Sequence, residues 1–204
     1  MCSSDLDFMS QRADQVAVDN RCAEFQRACE SYQVTIGVEG ISQRLRNYLN
    51  KNLTTERLYQ AVEYFIANRF HEVKLYMMAT ELETDEDVEE WRQFFIHIQQ
   101  MKQKYSSNTR FRQSFSPTNV SPFTTLRWEP PRPALSLAKG IKPRSLSKVV
   151  ELGHEFRIPF RLSLKSRTVV VNQIFAFNDR RFTTPVLRFA LKDEIGRASC
   201  RERV

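Results

Sequence analysis

The stretch VTIGVEGISQRLRNYLNKN, residues 34–52, contains the fold in miniature. Its first five residues read as a short apolar strand that ends on a carboxylate, Glu39. After Gly40 the chain turns into a basic amphipathic run that Ser42 can cap, with Leu45, Tyr48 and Leu49 on one side. A buried strand that leads into a helix implies a crossover to a parallel neighbour rather than a hairpin. The pattern recurs downstream. EVKLYMMA (72–79) is a second strand, with the nearly continuous apolar end of a strand covered on both faces, and RFRQSFS (110–116) is a third. Between them Thr54 or Thr55 opens a helix with the stripe Leu58, Ala61, Val62, Phe65 and Ile66, and Glu56 meets its positive end. Thr84 and Asp87 form a capping box for a second helix, lined by Val88, Trp91, Phe95, Ile98 and Met101 and closed by Lys102 and Lys104.

Upstream, Cys22, Phe25, Cys29 and Tyr32 keep helical spacing, which predicts one amphipathic helix over about residues 13–32. The element order is then α-β-α-α-β-α-β, an α/β fold with parallel strands and right-handed crossovers. Three strands neither close a barrel nor make a comfortable open sheet, so the chain reads as a piece of a larger α/β unit.

The ends are set apart. MCSSDL (1–6) and EIGRASCRERV (194–204) can be back-translated into reverse-complementary strings that resemble sequencing-library adapters, and both are excluded from fold reasoning. The expected segment is 7–193, divided into a sheet-bearing part (7–121), a Pro-rich linker (122–143) without regular structure, and a C-terminal extension (144–193). In that extension residues 145–156 read as a helix, RIPFRLSL as an extended segment, and TVVVNQIFAF and TPVLRFALKDE as two short helices. Trp128 in RWEPP is read either as a lid or, in preference, as an anchor for the Pro-rich strap.

The 204 residues carry a net charge of +7. That excess suits either a polyanion partner or a solvated basic surface. No run approaches the roughly 18 apolar residues of a membrane span, and a cytoplasmic protein is expected. Outside the ends only Cys22 and Cys29 remain. On one helix their Cα atoms would lie about 10 Å apart, too far for a disulfide, so they read as buried reduced thiols. His71, His97 and His154 lie on separate elements with no metal-ligand spacing. Arg157, Arg161, Lys165, Arg167, Arg180 and Arg181 make the tail basic.

Ligands of parallel α/β folds sit at the carboxyl ends of strands. Three such ends are present, at 39–42, 76–80 and 116–119, each with polar residues. They suit one shared pocket or ordinary loop polarity.

At this point a family resemblance enters. GVEGISQRLRNYLNKNLT is similar to the fourth-strand motif of radical S-adenosylmethionine (SAM) enzymes, VKLYMMATELETDEDVEEW to their fifth-strand segment, and FSPTNVSPFTTLRWEP to their sixth, in the same order and spacing. The branch resembled carries a cobalamin-binding domain ahead of the barrel, and its GDRR tail motif is matched here by NDRR (178–181). The resemblance implies the C-terminal half of a TIM-like radical SAM barrel, strands four to six, with a mainly helical extension. It also implies roles. Glu39 would accept hydrogen bonds from the ribose hydroxyls of SAM, Lys51 would pair with its methionyl carboxylate, and Ser42 would lie near that anionic end. Tyr76, Ala79 and Thr80 would pack against the adenosine, with Ser116 and Asn119 toward substrate. The family's GLPTE is replaced by ATELE, with Glu81 at a usual Gly or Pro position. The cluster-binding Cys-x3-Cys-x2-Cys is absent from the sequence. The expectation is therefore a fragment of a radical SAM enzyme, inactive alone. Its partner is a missing N-terminal half that holds the [4Fe–4S] cluster and, as an option, cobalamin, and its substrate is a small molecule or RNA. The competing reading is a basic RNA-binding module without redox chemistry.

Overall fold

The computed structural model describes residues 10–122, 124–139, 144–162 and 166–177, together with 184 and 188. The strands are β1 (Ser10–Gln11), β2 (Gln33–Glu39), β3 (Glu72–Ala79), β4 (Arg110–Pro117) and β5 (Phe160–Leu162). The helices are α1 (Ala13–Val16), α2 (Arg21–Ala28), α3 (Gln43–Tyr48), α4 (Thr55–Ala67), α5 (Asp85–Lys104), α6 (Arg132–Ala138), α7 (Arg144–Glu155) and α8 (Ser166–Phe177), with a 3-10 turn at Thr125–Trp128. All strand pairs are parallel and the sheet runs in chain order, β1-β2-β3-β4-β5.

That order has a consequence. Right-handed crossovers between successive neighbours, with no reversal, lay every crossover helix on the same face. The burial pattern agrees. Ile36, Val38, Val73, Leu75, Met77, Phe111 and Phe115 are buried in one core with Leu58, Phe65, Trp91, Phe95, Ile98 and Val149 of the helices. The alternate positions form the other face: Thr35 and Gly37, Lys74, Tyr76 and Met78, then Arg112, Ser114 and Ser116, most of them polar and most only partly covered. The fold is thus a five-stranded parallel α/β sheet flanked by helices, compatible with part of a β/α barrel.

The predicted caps are present. Ser42 accepts from Leu45 N–H, Thr54 from Arg57 N–H, and Thr84 and Asp87 close the capping box of α5. The buried Asp87 also ties two helix starts together, because it accepts from Ser42 Oγ at 2.6 Å and from Arg44 Nε at 3.1 Å. Arg46, almost wholly enclosed, donates to Gly40 O (3.2 Å), Leu53 O (3.0 Å) and Thr55 Oγ1 (2.6 Å), which pins the α3–α4 connection.

Several expectations change. The single helix over 13–32 is two helices, α1 and α2, broken where Asp19 takes both the backbone N–H and the guanidinium of Arg21. The buried positions of α2 are Ala23 and Gln26, while Cys22, Phe25 and Cys29 are exposed, so the buried-thiol reading is corrected. The cause is tertiary: β1 adds in parallel to β2, and Gln26 turns inward to bond Gln11 and Gln33 O. Among the described residues the strands number five rather than three. β1 is too short to show any period, and the expected extended segment at 157–164 becomes β5 beside β4. The Pro-rich stretch is not irregular throughout, since it contains the 3-10 turn and α6. Pro131 precedes α6 and Pro133 lies in its first turn, where a missing N–H leaves no bond unmade. Trp128 is 81% exposed and is no anchor, and the strap is buried instead at Pro133 and Ala134 of α6. α7 and α8 match two of the predicted tail helices. The NDRR motif, both ends and nearly all of the last predicted helix lie outside the described residues. Among the described residues no helix is long and apolar enough to cross a membrane.

Candidate functional site

The site is built on the last turn of β2. Gly37 pairs with Tyr76, but Glu39 pairs with Met77, so Val38 is a bulged residue. Glu39 then takes φ 69°, a left-handed conformation that costs a non-glycine residue about 1 kcal/mol or more. The carboxylate folds back over Gly37: a Cβ there would lie 2.9 Å from Glu39 Oε1 and 3.5 Å from Lys51 Nζ. Gly37 is therefore the floor under the Glu39–Lys51 pair, whose atoms are 3.4 Å apart and whose side chains are 25% and 21% exposed. Because Gly37 and Tyr76 are register partners, the pair stands beside Tyr76 on the open face.

A second carboxylate feels the same ammonium through space. Asp14 follows β1 and is 4% exposed, and Arg12 Nε and Nη2 donate to it at 3.1 and 2.7 Å. The Arg12 hydrogen bonds hold the Asp14 carboxyl below its ordinary range against the opposing effect of burial, and Lys51 adds to the lowering. Sequence reasoning missed Arg12 and Asp14. A two-residue strand has no pattern, and only its pairing with β2 shows that they follow a strand end.

The remaining predicted residues separate into two groups. Ser116 lies on the open face, paired in register with Met78. Asn119 follows it, and its Oδ1 is buried with no hydrogen-bond partner, as are the hydroxyls of Ser114 and Thr118. Glu39, Lys51, Tyr76 and Ser116 thus share one edge and one face. Ser42, Ala79 and Thr80 do not present free groups there. Ser42 is 1% exposed, with its hydroxyl engaged by Asp87 and by the helix cap. Ala79 faces the helix-side core, and its carbonyl accepts from Thr118 N–H at 3.0 Å. The Thr80 hydroxyl donates to Glu83 Oε1 at 3.0 Å and accepts from Leu82 N–H at 3.2 Å.

Glu81, at the position where the resembled motif has Gly or Pro, adopts φ 61°, the conformation that favours glycine. Its Oε2 accepts from Ser136 of α6 at 2.7 Å, which ties the Pro-rich strap to the end of β3. The strap fills the mouth between β3 and β4. A hollow of about 20 Å³ remains there, lined by Tyr48, Thr80, Thr118, Val120, Glu129 and Arg132, about the space of one water. A larger hollow, about 480 Å³, opens at the opposite end of the sheet beside Tyr32, Thr35, His71, Glu72 and Lys74.

Among the described residues no group of three His, Cys, Asp or Glu side chains could hold a metal ion. The family models and the curated proteins were both compared with this chain, and none matches it.

Proposed function

We propose that this chain is part of a β/α barrel of the radical SAM kind, and that its contribution is a SAM-binding rim. The observation that carries the reading is the Glu39–Lys51 pair held over Gly37 on the open face, at the carboxyl edge of a parallel sheet in chain order. An acid and a base side by side suit a ligand with vicinal hydroxyls at one end and an α-carboxylate at the other. On ligand entry the Glu39 carboxylate accepts from the ribose hydroxyls, and the Lys51 ammonium exchanges Glu39 for the methionyl carboxylate. Asp14 adds a second negative charge to the field around that ammonium. Tyr76 supplies an aromatic wall, and the unpaired Asn119 Oδ1 offers an acceptor toward substrate. Adenosine contact by Ala79 and Thr80 requires the strap to move, since both are buried beneath it or in the core.

The residues present do not fit an iron–sulfur cluster. Cys22 and Cys29 are exposed and seven positions apart at the two ends of α2, and no third thiol accompanies them among the described residues. In this proposal the cluster that supplies reductive SAM cleavage, and any cobalamin, belong to another part of the parent enzyme, and no step is assigned to them here.

The test is equilibrium dialysis of the folded chain against SAM and S-adenosylhomocysteine. Saturable binding is expected, weakened roughly tenfold by Glu39→Gln, as loss of a charged hydrogen-bond acceptor implies. A chain with native circular dichroism that binds neither compound would refute the proposal.

A further inference from the structure

We infer that the Pro-rich strap is a docking platform for single-stranded nucleic acid, with Trp128 as the stacking surface. Trp128 is 81% exposed, the largest exposure among the large hydrophobic side chains described, and the Arg127 guanidinium lies over its ring at 4.4 Å from the centroid. An exposed indole is a poor use of apolar surface in a folded chain unless something covers it. A guanidinium already stacked on the ring prepares a flat cationic surface, and such a surface suits a base on its free side and a phosphate at its rim.

The charges around it point the same way. Arg127, Arg132 and Lys139 are exposed along residues 124–139, and none of the three takes part in an ion pair among the described residues. The strap's one acid, Glu129, is occupied by the Tyr48 hydroxyl, whose pKa burial and this bond push up. The strap therefore carries three exposed cations, with Arg127 on the ring itself, against the single carboxylate of Glu129, on a chain of net charge +7. A protein partner would be expected to cover Trp128 with an apolar pocket. A guanidinium on the ring and further exposed cations along the same strap favour a partner with both aromatic faces and a regular negative backbone. The strap lies on the carboxyl ends of β3 and β4, so a bound strand would be held at the mouth of the proposed SAM rim. That placement rests on the function proposed above, whereas the binding itself does not.

The chain carries its own probe. It has two tryptophans, and Trp91 is 0% exposed, so quenching by a stacked base reports on Trp128 alone. The experiment titrates the full chain with the twelve-nucleotide oligomers rA12 and dA12, with heparin as a polyanion that cannot stack. Expected are saturable quenching by at least one oligomer, an affinity that falls with salt with a log–log slope of about −2 for three phosphate contacts, and about a tenfold or greater loss in Trp128→Leu by fluorescence anisotropy of labelled oligomer. The rA12 and dA12 arms separate RNA from DNA. Heparin should bind without quenching, and Trp128→Leu should not weaken it. No quenching by either oligomer would overturn the inference, and so would oligomer binding that Trp128→Leu leaves unchanged. Because Trp128 packs against so little, the substitution should leave the fold intact, and circular dichroism checks this. Failure of SAM binding with nucleic-acid binding intact would overturn the SAM rim and leave the platform standing.

Discussion

Asp87→Asn keeps the shape of a side chain on which two helix starts depend and removes its charge. Asp87 is 3% exposed and accepts from Ser42 Oγ at 2.6 Å, Thr84 N–H at 2.7 Å and Arg44 Nε at 3.1 Å. Hydrogen bonds to a charged acceptor exceed neutral ones by about 1 kcal/mol each, which for the Ser42 and Thr84 bonds sums to about 2 kcal/mol. The Arg44 side chain is 52% exposed, so solvent screening limits its share to about 0.5–1 kcal/mol. The expected cost is about 2–3 kcal/mol, or about 4–12 °C in midpoint for a chain of this size.

The pH dependence adds a second criterion. Burial raises the Asp87 pKa, but the bonds from Arg44, Ser42 and Thr84 outweigh it, and the folded value lies below the ordinary 3.8. A carboxyl depressed in the folded state contributes stability that is complete above the unfolded pKa and is lost as pH falls through the folded one. Urea unfolding by circular dichroism at pH 7 should therefore show the full gap between wild type and variant, and the gap should narrow below about pH 4. A gap under about 0.5 kcal/mol at pH 7, or one equally wide at pH 3, would refute the assignment of Asp87 as an ionised tie.

Two further outcomes are expected. Gly37→Ala should leave stability within about 1 kcal/mol, because the gain from replacing a strand glycine offsets a partly exposed ion pair. It should weaken SAM or S-adenosylhomocysteine binding at least as much as Glu39→Gln does, since the added methyl takes the space of Glu39 Oε1; unaltered affinity would remove Gly37 from the site. His97 is stacked on Tyr59 at 4.1 Å, with Nε2 buried and unpaired, and burial pushes its pKa below 6.5 although Glu63 opposes. The neutral form is favoured by folding, so stability should be full above about pH 6.5 and decline as pH falls. His97→Phe should flatten that decline in thermal melts between pH 7.5 and 5.5, and an unchanged slope would exclude His97 as its source.

Legibility in the sequence followed the range of the interaction. α4 and α5 were readable because their apolar stripes and caps are local: Thr54, Thr84 and Asp87 act within three residues of where they stand. Glu39, Tyr76 and Ser116 were readable as strand-end residues because β2, β3 and β4 each carry their own pattern. Gln26 was not, since its inward turn depends on a strand edge that two residues of β1 create. Ser42 was half readable. Its cap is local, but its bond to Asp87 spans 45 positions, and that bond occupies the hydroxyl expected to face a ligand.

By itself the sequence determined the alternation of strands and helices, their caps and the parallel α/β class, because period and capping act over a few residues. Only the tertiary structure decided which face stays open, that Gly37 is the floor beneath Glu39 and Lys51, that Asp14 and Arg12 join them, and that the strap fills the mouth with Trp128 turned outward. Those features arise where segments tens of residues apart meet, and the free energy that fixes them comes from burial and charge pairing between partners that share no local pattern.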